Sequence, residues 1–240
     1  MQASEAGTPE PESFILARGL RKTFRRGSEQ VEAVRGVDLG LPVGVFAVIL
    51  GPSGGGKSTL LHLLGGIERP TAGEIRIAGE ALEKAGEEEL TRFRRDHIGF
   101  IFQFYNLLPS QSAMDNVALP LLARGTPWPL ARRRAAELLE RVGLSARLKH
   151  HPAELSGGEQ QRVAIARAVV ASPDLVLADE PTGDLDTATT EEILALLSDL
   201  NRDLGVTLLV ATHNPRIADF ASLRYEMRDG LLHQQDGAGP

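Results

Sequence analysis

The chain has 240 residues, 42% of them apolar and 24% charged, which is the composition of a globular domain long enough to bury a sizeable core. A formal net charge of −6 provides no electrostatic footprint for nucleic acid, so none is expected as a partner. The absence of cysteine excludes disulfides and thiolate metal sites.

In chain order, residues 1–12 come first, with Glu5, Pro9, Glu10, Pro11 and Glu12. They lack the basic start and apolar stretch of a signal peptide and are expected to be disordered. Residues 14–42 and 73–79 read as short strands and turns, an antiparallel patch. Short runs at 45–50, 98–102, 175–178 and 206–211 are rich in Val, Ile, Leu and Phe and read as buried strands. The longest unbroken apolar run, 45–50, is far too short to span a bilayer, so any membrane role is expected to run through a partner. Between 104 and 172 no strand pattern appears. Helical patterns at 113–122, 129–142 and 158–171 predict a helical lobe inserted into an α/β core. Ile193, Leu196, Leu197, Leu200 and Leu204 form the apolar stripe of another helix, which Asp186 or Thr187 is placed to cap. Residues from about 233 read as a loose tail, leaving 13–232 as a single domain. The expected fold is therefore α/β, with a mainly parallel sheet.

Gly51, Pro52, Ser53, Gly54, Gly55, Gly56, Lys57, Ser58 and Thr59 match the pattern G-x-x-x-x-G-K-[ST] between a strand and a helix. Glycines let backbone N–H groups turn inward on a polyphosphate, and the helix N-terminus adds its dipole. Lys57 is expected to reach the β- and γ-phosphates, and Ser58 to bind Mg²⁺. The strand at 175–178 ends in Asp179 and Glu180, a carboxylate for Mg²⁺ followed by a general base for the attacking water. Gln103 and His213 also follow strands. In open α/β sheets ligands bind at that carboxyl edge. Ser156 and Glu159 have capping-box spacing. Gly157 and Gly158 between them also suit close approach of an anion to a helix start.

Taken together, these motifs resemble those of the ATP-binding cassette (ABC) ATPases, and they run in that family's order over residues 14–232. The resemblance implies a P-loop NTPase core and roles for individual residues. Residues 51–59 resemble the Walker A loop, Gln103 the Q-loop, 155–160 the signature, 175–180 the Walker B strand, Asp186 the D-loop aspartate and His213 the switch histidine. Phe24 falls where the family often places an aromatic residue, commonly Tyr, against adenine. Gly55 stands where Ser or Cys is more usual, and Asp184 where Asn is. The resemblance further implies ATP with Mg²⁺ and a head-to-tail homodimer. In that dimer Ser156, Gly157, Gly158 and Glu159 of one copy close on the ATP of the other.

The wording of residues 60–66, 102–109, 177–183 and 225–230 is similar to the lipoprotein-release and macrolide-efflux branch. That branch implies a membrane partner, fused to the ATPase in some members and expected here as a separate transmembrane permease subunit, and a place at the cytoplasmic face of the inner membrane. A cell-division regulator of similar fold, signalling through a membrane partner without transport, is the alternative. A soluble ABC protein of DNA repair or translation fits less well, since it usually carries long coiled-coil insertions or a second ATPase domain. Phe104, Tyr105, Leu107 and Leu108 form an apolar stretch after Gln103, with Tyr105 the expected anchor for the permease.

Overall fold

A computed structural model of the chain describes residues 13–27 and 29–235. The stretch expected to be disordered at 1–12 lies outside them. The order is β1 (Ile15–Arg26), β2 (Glu29–Leu41), β3 (Phe46–Leu50), α1 (Lys57–Leu64), β4 (Ala72–Ile77), β5 (Glu80–Ala81), α2 (Glu87–His97), β6 (Ile98–Ile101), α3 (Ala113–Ala123), α4 (Trp128–Arg141), α5 (Gly157–Val169), β7 (Leu175–Asp179), α6 (Thr187–Leu204), β8 (Thr207–Thr212), β9 (Leu223–Arg228) and β10 (Leu231–Gln235). The chain folds as two compact units, residues up to 91 with those from 209 onward, and residues 92–208.

The first unit contains an antiparallel sheet in the order β2-β1-β4-β5 and a second run of strands, β10-β9-β3-β8. Where short strands were expected, β1 and β2 extend over 12 and 13 residues. Val34, Val37, Leu39 and Leu41 bury the inner face of β2. Lys22 pairs with Val34 but Thr23 with Glu32, so Ala33 is an extra residue, a β-bulge. Phe46 to Ile49 of β3 are buried throughout, as befits a parallel strand covered on both faces, and β3 runs parallel to β9. Asp229 and Gly230, both at positive φ, close the β9–β10 hairpin, as a tight turn of matching twist requires. His233, Gln234 and Gln235 pair within this hairpin, so the tail expected to be loose from 233 is ordered to Gln235.

In the second unit β6 and β7 run parallel, from Ile98 beside Leu175 to Ile101 beside Ala178. Helices α3, α4 and α5 occupy the predicted helical stretches. Ala118, Ala131, Ala135 and Ala166 let them approach closely around Val117, Leu121, Leu139 and Val163. Fully buried Asn116 holds the preceding loop, donating to the carbonyls of Leu108, Gln111 and Ser112 and accepting from the Leu108 N–H. Asp186 caps α6 by accepting from the Thr189 N–H at 3.0 Å. The α6 stripe buries Ile193, Leu194, Leu197 and Leu200, but Leu204 is exposed. It is the last helical residue, and left-handed Gly205 turns the chain away.

Candidate functional site

The loop from Gly51 to Gly56 leaves the buried strand β3 and opens α1. Gly56, the N-cap of α1, has φ 103°, and a methyl group there would stand 2.3 Å from the Ala33 carbonyl oxygen. Gly55, which departs from the more usual Ser or Cys, has an equally local cause. A Cβ at 55 would lie 2.9 Å from the Met227 carbonyl oxygen. The Gly55 carbonyl accepts from the Gly230 N–H at 3.0 Å, and the Gly230 carbonyl accepts from Arg35 at 2.9 Å. The loop is thus backed by the β2 bulge and the β9–β10 turn. No side chain caps α1, so the first-turn amides face outward from a positive helix end. Lys57 is buried, and its Nζ donates to the carbonyls of Gly51 at 2.9 Å and Pro52 at 3.1 Å. Ser58 is exposed and Thr59 half-buried on the same first turn.

Phe24 stands exposed near the end of β1, directly paired with Val31 on β2. His213 follows β8, the neighbour of β3, and is exposed. Both the loop and His213 therefore lie at carboxyl ends of adjacent strands within the first unit.

A second set of polar groups sits at the carboxyl ends of β6 and β7. Continuing the register from Ile101 beside Ala178 brings Gln103 level with Glu180. The Gln103 amide nitrogen lies against the following turn, 3.3 Å from where a Gly183 methyl would be. Asp179 ends β7, and Glu180 takes a left-handed φ of 46°. Its carbonyl accepts from the Gly183 N–H at 3.1 Å, which fixes the turn behind the carboxylate.

Ser156 begins α5 with a complete capping box. Its hydroxyl accepts from the Glu159 N–H at 3.2 Å, and Glu159 Oε2 accepts from the Ser156 N–H at 2.8 Å. Arg147 donates to the other Glu159 oxygen at 2.9 Å. The Thr189 hydroxyl, with its N–H, holds the Asp186 carboxyl below the usual range, so this aspartate is a cap by geometry and by charge.

Sequence reasoning missed Arg167. Its guanidinium donates to the carbonyls of Tyr105 at 2.7 Å and Asn106 at 2.5 Å, consecutive residues at φ 58° and 49°. Burial lowers its pKa, so these bonds replace lost hydration. An arginine inside an otherwise apolar helix face was the available signal. The left-handed pair turns the Tyr105 ring inward, with its hydroxyl over Gly157, while Phe104 is 73% exposed. Tyr105, expected as the exposed anchor, is thus half-buried, and Phe104 is the open aromatic of this stretch. The supports at Ala33, Met227 and Gly230 were also missed. Of these only the Asp229–Gly230 dipeptide carries a sequence signal, that of a turn.

Residues 34–183 match the family model described as ABC transporter. The chain is 47% identical over 220 residues to the lipoprotein-releasing system ATP-binding protein LolD of Alcanivorax borkumensis, covering 92% of this chain and 96% of that one. An uncharacterized ABC transporter ATP-binding protein of Thermotoga maritima is 51% identical, with 88% and 90% covered. The macrolide export ATP-binding/permease protein MacB of Rhodopseudomonas palustris is 47% identical over 92% of this chain but 34% of its own length. Among solved structures, a dimeric ATP-binding cassette in a post-hydrolysis state bound to ADP and Pi superposes with a TM-score of 0.85 at 39% identity, covering 93% of this chain and 99% of that one.

The capping box generates a pH prediction. Arg147 first, then the Ser156 amide, holds the Glu159 carboxyl below its ordinary 4.5. A carboxyl lowered by folding stabilises fully above its unfolded pKa, and the contribution is lost as pH falls through the folded value. Glu159→Gln should lower stability by about 1 kcal/mol at neutral pH. The gap between its melting curve and that of wild type should close as pH drops below the carboxylate range. A gap unchanged by acid would assign the effect to shape rather than charge.

Proposed function

This chain belongs to the ABC transporter family and hydrolyses ATP, and from that premise we propose that it drives lipoprotein release or a related export across the envelope. In this reading it works as a homodimer on separate transmembrane permease subunits, bound peripherally at the cytoplasmic face of the inner membrane. The observation that carries the chemistry is the buried Lys57 ammonium inside a glycine loop that opens an uncapped helix. The finer reading leans on the likeness to the lipoprotein-releasing protein over nearly its whole length. Among the described residues no helix is long and apolar enough to cross a membrane, consistent with work through a partner.

Each site residue receives a role. Amides of residues 51–59 cradle the phosphates, and Lys57 exchanges the carbonyls of Gly51 and Pro52 for β- and γ-phosphate oxygens. Phe24 stacks on adenine. Ser58, Gln103 and Asp179 offer hydroxyl, amide and carboxylate oxygens, the donor class that a hard cation such as Mg²⁺ prefers. When bound with the nucleotide, Mg²⁺ neutralises charge on the phosphoryl group. Glu180 accepts a proton from the attacking water, and His213 donates to the γ-phosphate. Ser156, Gly157, Gly158 and Glu159 close on ATP held by a second copy, and Asp186 orders the start of α6 beside it. Gln103 joins the γ-phosphate to the segment that meets the permease.

Lys57→Ala should weaken ATP binding by roughly 10- to 100-fold, the loss of hydrogen bonds from a charged donor. Equilibrium titration checks it, and wild-type affinity would remove Lys57 from the phosphate grip. Glu180→Gln should bind ATP normally, cut hydrolysis by roughly 10²–10⁴ and trap a dimer visible as a doubled mass in MgATP. Normal turnover in this variant would reject Glu180 as base. Phe104→Ala should leave basal ATPase intact and reduce co-purification with the membrane subunit, as loss of an exposed aromatic anchor does. Undiminished co-purification would place the permease elsewhere, and the identity of the recovered subunit tests lipoprotein release itself.

A further inference from the structure

Lys22 is a strand lysine held as few surface lysines are. Its ammonium lies 4.8 Å from the centroid of the Phe24 ring. It donates to Glu68 Oε2 at 2.7 Å and to the Arg69 carbonyl at 2.8 Å. The lysine side chain is only 13% exposed, while Phe24 is 37% exposed and its partner Val31 46%. A lysine normally leaves its ammonium in water; here two acceptors fix it against one ring.

The anchors lead to the phosphate loop. Ile67 and Glu68 donate their N–H groups back to the His62 carbonyl, so the segment carrying Glu68 and Arg69 is folded onto the end of α1. Thr71 ties the same segment to β1. Its N–H donates to the Arg21 carbonyl at 2.8 Å, and its hydroxyl accepts from the Thr23 N–H at 3.0 Å. A continuous path therefore runs from Lys57 through α1 to Glu68, Lys22 and the Phe24 ring.

We infer that Lys22 is a positioning residue for the nucleotide base: its tethered ammonium grips Phe24 and fixes the open part of the ring, for a purine, at a set span from the phosphate loop. A cation on one face also draws π-electron density toward itself, which favours stacking of an electron-rich purine on the other. This inference rests on the reading of Phe24 as the adenine platform.

Binding of MgADP and of magnesium pyrophosphate to the full-length chain, by calorimetry, separates base from phosphate. Lys22→Met should weaken MgADP about fivefold, the worth of a cation–π contact, and leave pyrophosphate unchanged. At saturating ATP kcat should hold while KM rises by about the same factor. Lys22→Arg, which retains charge and reach, should bind MgADP within about twofold of wild type. In a Phe24→Ala background, Lys22→Met should have no further effect. If Lys22→Met proves unstable, Glu68→Gln loosens the ammonium without removing it and should give a smaller loss of the same kind. Equal weakening of pyrophosphate, or an undiminished loss in the Phe24→Ala background, would overturn the inference. Phe24→Ala that weakens MgADP while Lys22→Met does not would overturn Lys22 alone. Phe24→Ala with wild-type MgADP affinity would overturn the platform reading and the inference with it.

Discussion

Polyphosphate can be held by backbone only where the backbone comes close, and side chains obstruct that approach. The segment from Gly51 to Gly56 meets this constraint on both sides. The Ala33 and Met227 carbonyls stand so near its back that a methyl group at Gly56 or Gly55 would collide with them. The bulge in β2 and the tight β9–β10 turn bring those carbonyls into position, and Gly230 adds a hydrogen bond to Gly55. Strands some 20 residues before the loop and over 170 after it are thus shaped by one short turn. Removing the obstruction from the loop transfers the demand for exact geometry to its supports.

In the second unit the same economy appears as strain. Tyr105, Asn106 and Glu180 are non-glycine residues in the left-handed region, each conformation costing about 1–2 kcal/mol. Arg167 offsets the first two through paired carbonyls, and the Gly183 amide holds the third. The strain presents Phe104 to solvent while the Tyr105 ring turns toward α5, and at Glu180 it ends the extended run of β7. Such conformations persist only where their surroundings over-determine them, which is the case at these turns.

What could be read from the sequence divides along this line. The glycine loop, the carboxylates after β7 and the capping box are local patterns, and each was found with its element. Strands β3, β7 and β8 were legible because burial along their length leaves continuous apolar runs. Strands β9 and β10 were not, because Arg224, Glu226 and Arg228 interrupt the buried Tyr225 and Met227 of β9, and exposed His233 and Gln234 dilute the signal of β10. The length of β1 and β2 was hidden by charged residues on their open face. Arg167, Met227 and Ala33 act through carbonyls or through partners distant in sequence. Nothing in residue type announces a carbonyl's role, so only the fold reveals them.

The start of α5 shows why a structural reading and a functional one need not compete. A capping box satisfies the N–H of the cap residue and of the third helical residue, here Ser156 and Glu159. The amides of Gly157 and Gly158 lie outside that exchange. The box therefore fixes the helix end rigidly while leaving its glycine amides for an anion. Arg147 neutralises the carboxylate that would otherwise repel one. A helix start built this way is stable as a cap, and under the proposed function the same rigidity serves to meet a phosphate carried by another copy of the chain.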